Sequence, residues 1–393
     1  MGYSALYNMN RSRPISGYTA DVLIDKLAEA RGQLRALIDR LPPGGWLGPR
    51  AAHLNPPLWE DGHIVWFQER WCLRERPDGV CGPSLLRGAD ALYDSSSVPH
   101  DVRWDLPLPE PDAVDAYAAQ VAEAVAARLQ GALDNNIAYF AELSLYHELM
   151  HVEAWWMAFQ NLGYAPPSPV ERATFLPAQR LAFDATEIGL GSDPGAGFIF
   201  DNEKWRHTVP VAAFDIDAGP VSEAGYAAFV EAGGYQARRL WSEAGWAWRA
   251  SRDARHPLYW RQENGDWQVR RFDRWQLPRP DVPILHVNRF EAEAFAAWRG
   301  RRLPTAAQWV RATAQPEFAW GKAWEWLRDP FAPYPGFAPD SYRDYSQPWF
   351  HTHGELRGGG PVTDASLKRP GFRNFYLPDR RDAFAGFRTA SGG

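Results

Sequence analysis

The chain has 393 residues, a formal net charge of -6, 45% hydrophobic and 23% charged residues. That composition suits a soluble globular protein of two or three domains, and the acidic balance excludes a bulk polycation, so no nucleic-acid partner is expected. The only cysteines, Cys72 and Cys81, give no disulfide framework and point to a reducing cytoplasm. The N-terminus lacks an apolar signal core, and no apolar run is long enough for a bilayer, so no membrane partner is expected. Twenty tryptophans are unusual in one chain. They fill cores, but they also build faces for cationic or ring-shaped ligands.

Residues 1–17 are polar and read as loosely held. A helix is predicted from Thr19, a good N-cap, with Leu23, Leu27, Ala30, Leu34, Leu37 and Leu41 as its apolar stripe. Pro42-Pro43-Gly44-Gly45 ends it. Asn55-Pro56-Pro57 opens the next, with Asn55 as N-cap and proline in the first turn. That helix carries Trp59, His63, Trp66, Phe67 and Arg70, so His63 sits among inward-facing aromatics. A Gly-, Pro- and Ser-rich loop covers roughly 76–111. Asp112 is predicted to cap a third helix with Val114, Tyr117, Val121, Val125 and Leu129 on one face. The fourth runs from about Asn135 to Leu162 and stops near Gly163. Four amphipathic helices read as a bundle with a site in its core.

The fourth helix contains Tyr146-His147-Glu148-Leu149-Met150-His151-Val152-Glu153. His147 and His151, at i and i+4, share a helical face and can close on one metal ion. Two core or surface histidines four apart fit the pattern equally well. Glu153 points about 120° and 160° away from the pair, so another segment must supply a third ligand. His63 is the best candidate, with a buried, hydrogen-bonded histidine as its alternative. Three imidazoles suit Fe, Zn, Cu or Ni and do not choose among them.

After the linker Ala165-Pro166-Pro167-Ser168-Pro169 the character changes. Short apolar runs alternate with Gly, Pro, Asn and Asp. Phe198-Ile199-Phe200 and Val209-Pro210-Val211 are predicted strands, and Ser222–Ala232 a short helix. Arg289–Arg299 is predicted as a second helix. The capping-box pattern Thr305-Ala306-Ala307-Gln308 starts a third. This half reads as an irregular α+β domain whose loops carry the surface.

No nucleophile elbow, phosphate loop or dinucleotide fingerprint occurs. Cys72 reads as a small core residue. His53, His100, His207, His256 and His286 lie in loops or beside turns and read as structural. Asp201-Asn202-Glu203-Lys204 and Asp379-Arg380-Arg381-Asp382 read as solvated or salt-bridged turns.

With a preceding helix that brings Gly62-His63, the histidine pair resembles the DinB-like N-terminal domain of the ergothioneine-type sulfoxide synthases. The C-terminal half resembles their formylglycine-generating-enzyme-like domain, a C-type-lectin-like fold. The matching motifs are Phe200-Asp201-Asn202-Glu203, Gly233-Gly234-Tyr235, Trp241-Ser242-Glu243-Ala244-Gly245-Trp246, Pro257-Leu258-Tyr259-Trp260, Arg302-Leu303-Pro304-Thr305, Trp324-Glu325-Trp326, Leu356-Arg357-Gly358-Gly359, Arg373-Asn374-Phe375 and Ala385-Gly386-Phe387-Arg388. They follow the family's order over nearly the whole chain. The resemblance implies an α+β protein with a DinB-like four-helix bundle over 1–170. A lectin-like domain over 171–393 would complete the substrate site.

It also implies a non-haem Fe(II) held by His63, His147 and His151, O2 as oxidant, and hercynine (trimethylated histidine betaine) as acceptor. Asn374 matches an asparagine that holds hercynine, and Phe375 a neighbouring aromatic. A trimethylammonium head suits an aromatic enclosure.

Departures from the pattern fall on the residues that handle the donor. Tyr93-Asp94-Ser95-Ser96-Ser97 stands where the family has a Phe-Asn-Ser-Tyr-Tyr segment, which places Tyr93 by the substrate. Met150 replaces a frequent glutamine. His353 takes the place of a tyrosine proton donor. Tyr376 stands where the γ-glutamylcysteine-using branch has an aspartate, so His353 or Tyr376 is the expected proton donor.

Asn55-Pro56-Pro57-Leu58-Trp59-Glu60 and Ala89-Asp90-Ala91-Leu92-Tyr93-Asp94-Ser95 are similar to the selenoneine synthase branch, which uses a selenosugar. The expected reaction is therefore C–Se bond formation between hercynine and a selenosugar. C–S bond formation with cysteine or γ-glutamylcysteine is the alternative. A zinc-dependent DinB-type thiol transferase and a binding module without turnover are further alternatives. A formylglycine-generating oxidase is disfavoured, since both cysteines lie in the N-terminal half.

Overall fold

The computed structural model describes residues 18–75, 80–131, 133–170, 179–195 and 197–392. The expectation for residues 1–17 lies outside that set. The chain divides into two compact units, Met1–Ala158 with Pro194–Phe198, and Phe159–Asp193 with Ile199–Gly393. Among the described residues no helix is long and apolar enough to cross a membrane.

The first unit is helical. Helix α1 (Ala20–Ile38) is capped by Thr19, whose hydroxyl accepts from the Val22 N–H. Leu23, Leu27, Ala30, Leu34 and Leu37 are buried along one face, as a 3.6-residue period requires. Leu41, predicted on the same stripe, lies beyond the helix in the following turn and is only half-buried.

Helix α2 (Pro57–Glu69) is buried at every position and runs on into a π-type turn, Arg70–Arg74. The predicted Asn55 cap is not formed. Pro56 holds the N-cap position without a side-chain bond. Asn55 instead gives its amide N–H to Glu60 and accepts from Arg103. Prolines at the helix start remove donors that would lack partners there, so a cap is dispensable.

The expected loop holds a short helix, α3 (Ala89–Tyr93). Helix α4 (Pro111–Gly131) buries its predicted stripe, but Asp112 lies inside the first turn and not at the cap. There its charge still suits the positive end of the helix dipole. Helix α5 (Asn135–Leu162) ends before Gly163, whose φ of 72° favours glycine. Its start is capped by the Asp134 carboxylate, which accepts from the N–H groups of Asn136 and Ile137.

Burying α2 entirely means burying its acids, and each is paired, as desolvated charge requires. Arg31 of α1 donates to Asp61 at 2.9 Å and meets Glu148 of α5 at 2.8 Å. Glu69 accepts from the hydroxyls of Tyr117 (2.5 Å) and Ser84 (2.6 Å). One buried ion cluster thus ties α1, α2 and α5 together. Cys72, in the π-type turn after α2, is buried, and burial pushes its thiol up to about 12. It is an inert core group, as its surroundings predicted.

The second unit is built of small sheets and short helices. Strands β1 (Arg180–Phe183), β4 (Phe214–Asp217) and β12 (Ala390–Gly392) form one antiparallel sheet with β4 central. β2 (Thr186–Leu190) pairs with β3 (His207–Val211), which contains the predicted Val209–Val211 strand. β5 (Trp260–Glu263), β6 (Asp266–Arg271) and β7 (Arg274–Gln276) form a meander. In the fourth sheet the order is β10 (Asn374–Tyr376), β9 (Gly354–Arg357), β8 (Trp324–Pro330), β11 (Ala385–Gly386).

Helix α6 (Glu223–Glu231) starts at the Ser222 cap. Helices α8 (Arg289–Trp298) and α9 (Ala306–Ala312) start at the capping boxes Asn288/Glu291 and Thr305/Gln308. Helix α7 (Glu243–Ser251), capped by Ser242, was not expected. The predicted strand at Phe198–Phe200 is absent. Its aromatics pack as side chains instead: Phe198 against Tyr139 and Tyr146, and Phe200 stacked on Tyr345 at 4.1 Å.

Most of the motifs quoted above are parts of buried ion pairs. Arg388 grips Glu325, both fully buried, and also donates to the Asp217, Ala218 and Ala319 carbonyls. Arg357 and Arg373 share Glu355, and Arg369 meets Glu203. Burial would raise the Glu355 carboxyl, but the two guanidiniums prevail and hold it below the usual range. The cluster Asp201–Lys204 is buried, not solvated, with Lys204 on Asp340 at 2.5 Å. Asp379–Asp382 is a salt-bridged turn, with Arg380 on Asp382 at 3.0 Å.

Candidate active site

Helices α2 and α5 bring three imidazoles together. His63, His147 and His151 each offer a nitrogen, and these atoms lie within 4.8 Å of one another. Ring centroids are 5.2 Å apart for His63 and His147, 5.1 Å for His63 and His151, and 4.5 Å for His147 and His151. His63 and His147 are buried and His151 is half-buried, so the group reaches solvent on one side. Glu153, buried on the same helix, is not in that group, as its helical angle predicted.

The aromatic neighbours fix the rings. Trp59 stacks on His63 at 4.8 Å and 9°, and Phe67 stacks on His147 at 3.6 Å and 4°. The Trp59 indole N–H donates to the Leu92 carbonyl at 2.7 Å, which locks its own plane. Hydrogen bonds set the nitrogens. His63 Nδ1 donates to the Tyr93 carbonyl at 2.7 Å, and His151 Nδ1 donates to Glu60 Oε1 at 2.6 Å. Each ring therefore keeps its lone pair on Nε2.

Burial first, then the neighbouring His151, holds the His63 imidazole well below its ordinary value. The same two causes, with His63 added, act on His147. Both rings stay neutral at pH 7, the form that ligates metal. Three imidazoles, two of them oriented by outer partners on Nδ1, fit a metal ion, and three protein ligands leave coordination positions for small molecules.

Tyr93 reaches this group through its carbonyl. Its ring is fully buried and packs over Gly62, where an added Cβ would fall 2.3 Å from Tyr93 Cζ. Glycine beside His63 thus allows the close approach of α3 to α2. Met150 lies half-buried on α5. The sequence gives Asn55, Glu60 and Arg103 no role at the site, because a glutamate in a helix carries no sign that it is buried.

The remaining expected residues gather in the second unit. Asn374, Phe375 and Tyr376 form β10, which pairs with β9 immediately after His353. Asn374 Nδ2 donates to the Tyr376 hydroxyl at 3.2 Å. Phe375 stacks on Phe331 at 4.2 Å and meets the His353 ring at 6.0 Å. His353 Nδ1 is 2.9 Å from the Thr352 hydroxyl. Burial lowers the His353 imidazole, partly offset by the Trp349 backbone. The Arg380 guanidinium lies 4.3 Å over the Tyr376 ring.

Comparison with known proteins agrees with this architecture. Residues 26–155 match the DinB superfamily, and residues 174–323 match the sulfatase-modifying factor enzyme 1-like domain. The chain is 33% identical to a hercynine oxygenase of Mycolicibacterium thermoresistibile, over 86% of this chain and 87% of the relative. It is 32% identical to that of Mycolicibacterium smegmatis, over 86% and 91%. A formylglycine-generating enzyme of Streptomyces coelicolor is 33% identical, over 41% of this chain and 58% of its own. Fold and site define a DinB-type protein with a three-histidine cluster and a sulfatase-modifying-factor-like domain. The chain belongs to the ergothioneine-type sulfoxide synthase family, in which the hercynine oxygenases fall.

Proposed function

We propose that this protein is a non-haem iron oxidoreductase that modifies hercynine, joining it to a selenosugar through a C–Se bond with O2 as oxidant. The convergence of His63, His147 and His151 carries the reading. Bound Fe(II) would supply the O2-dependent redox chemistry. The three imidazoles hold it, and Trp59 and Phe67 shield the His63 and His147 rings from water. Asn374 and Phe375 bind hercynine, the amide to its polar atoms and the ring to its cationic head. Met150 borders the substrates, whereas Tyr93, with its ring buried over Gly62, acts by placing His63. His353 or Tyr376 serves as the proton donor of the reaction.

Support for a sugar donor comes from β10. Tyr376 presents an aromatic hydroxyl beside an amide, where a clamp for an amino group would need a carboxylate. In this reading the bundle over 1–170 supplies the metal ligands and the domain over 171–393 the hercynine contacts. The two cysteines, free in the structure, suit a cytoplasmic protein.

A thiol donor, cysteine or γ-glutamylcysteine, is the second reading. The 32–33% identity to hercynine oxygenases favours it. A donor competition separates the two. With hercynine, iron and O2, equal amounts of selenosugar, thiosugar, cysteine and γ-glutamylcysteine are offered, and products are weighed by mass spectrometry. The selenosugar adduct is expected to dominate. Preference for either amino-acid thiol would overturn the selenium assignment and leave the family reading intact.

A further inference from the structure

An imidazole ligand has two nitrogens, and a metal can use only the one without a proton. His151 Nδ1 lies 2.6 Å from Glu60 Oε1, and a carboxylate at that distance accepts the Nδ1 proton. His63 receives the same service from the Tyr93 carbonyl. The difference is that Glu60 acts through a side chain, which substitution can remove.

Glu60 is itself held. It is buried, and Asn55 Nδ2 donates to its second oxygen at 3.4 Å. Asn55 Oδ1 accepts from Arg103 at 2.8 Å. The Arg103 guanidinium lies 3.8 Å over the Trp59 ring, and Trp59 stacks on His63. The contacts run from His151 through Glu60, Asn55, Arg103 and Trp59 to His63. Two of the three histidines are braced by one closed set of residues outside the ligand group.

We propose that Glu60 is a positioning residue of the three-histidine centre, anchored by Asn55 and Arg103, which fixes His151 in the Nδ1–H tautomer with Nε2 turned to the metal. This rests on the reading of the three histidines as a metal site. Outer carboxylates of this kind raise ligand basicity, and their loss typically weakens metal affinity by about 10–100-fold.

The test uses the full-length chain, stripped of metal and titrated with Co(II) alone, with the visible spectrum as readout. Glu60→Ala is expected to weaken Co(II) binding by about 10–100-fold and to change the spectrum. Glu60→Gln is expected to restore most of the affinity, because its amide oxygen accepts the same N–H. Thermal unfolding of the metal-free variants separates this from a role in folding alone, which would move stability without that rank order.

Wild-type affinity in Glu60→Ala, or a Gln variant as weak as the Ala variant, would overturn the proposal. Should Glu60→Ala fail to fold, the imidazole nitrogen-15 shifts of metal-free wild type decide. An Nδ1–H tautomer at His151 is expected, and an Nε2–H tautomer would refute the role. If His63→Ala, His147→Ala and His151→Ala all keep Co(II), the metal reading itself fails. If they lose it and Glu60→Ala does not, only Glu60 is wrongly assigned.

Discussion

His147→Ala is expected to abolish stoichiometric iron binding and to reduce hercynine turnover by more than 100-fold, beyond the roughly 10–100-fold typical of losing an outer partner. His147 is buried in the middle of α5, with Phe67 stacked flat on its ring at 3.6 Å. Its neighbours His63 and His151 cannot close the gap, since each is tied through Nδ1 to a partner elsewhere. Removing one nitrogen leaves two, too few to hold a labile ferrous ion against water. The vacated space is lined by packed aromatics, so some loss of stability accompanies the loss of metal. Iron content by elemental analysis, with circular dichroism as a folding control, checks the result. A folded variant with one iron per chain would show that His147 is not a ligand.

Arg388→Met is expected to destabilise the second unit by roughly 3–5 kcal/mol, the usual cost of leaving one partner of a buried ion pair alone. Both Arg388 and Glu325 are 0% exposed, so water cannot compensate. The guanidinium also serves three backbone carbonyls, from Asp217, Ala218 and Ala319, which would lose a donor together. Methionine keeps most of the volume, so the loss is chiefly electrostatic. The Glu325→Gln/Arg388→Met double variant should lose less than the single one, because no uncompensated charge remains. Urea unfolding followed by tryptophan fluorescence measures both. An unchanged midpoint in the single variant would show that the Arg388–Glu325 pair does not hold the second unit together.

The helical unit was largely legible because burial there follows a 3.6-residue period. The stripes of α1 and α4 could be counted, and His63, His147 and His151 stood out as ligand types on apolar faces. What escaped was what a side chain does when two uses compete. Asn55 before two prolines matches an N-cap, yet its amide serves Glu60. Glu60 matches a solvated helix position, yet it is buried on His151.

In the second unit periodicity is weak, and long-range pairing decides the fold. Glu325 and Arg388 are 63 residues apart and Glu203 and Arg369 are 166 apart. Their motifs were visible as a family resemblance, but not as the ion pairs they form. Helix α7 is not legible although Ser242 marks its start, because its tryptophan-rich stretch reads as a family motif and not as a secondary structure. Phe198–Phe200 was misjudged because apolar content alone does not tell a strand from a loop anchored by aromatics.

Iron held by the three histidines would make hercynine modification depend on O2. Hercynine consumption should be followed with iron-loaded and zinc-loaded protein, each with and without O2, in the presence of the donor mixture. Consumption is expected only with iron and O2, matched by O2 uptake. Turnover by the zinc form without O2 would contradict it and establish a metal-activated thiol transferase instead.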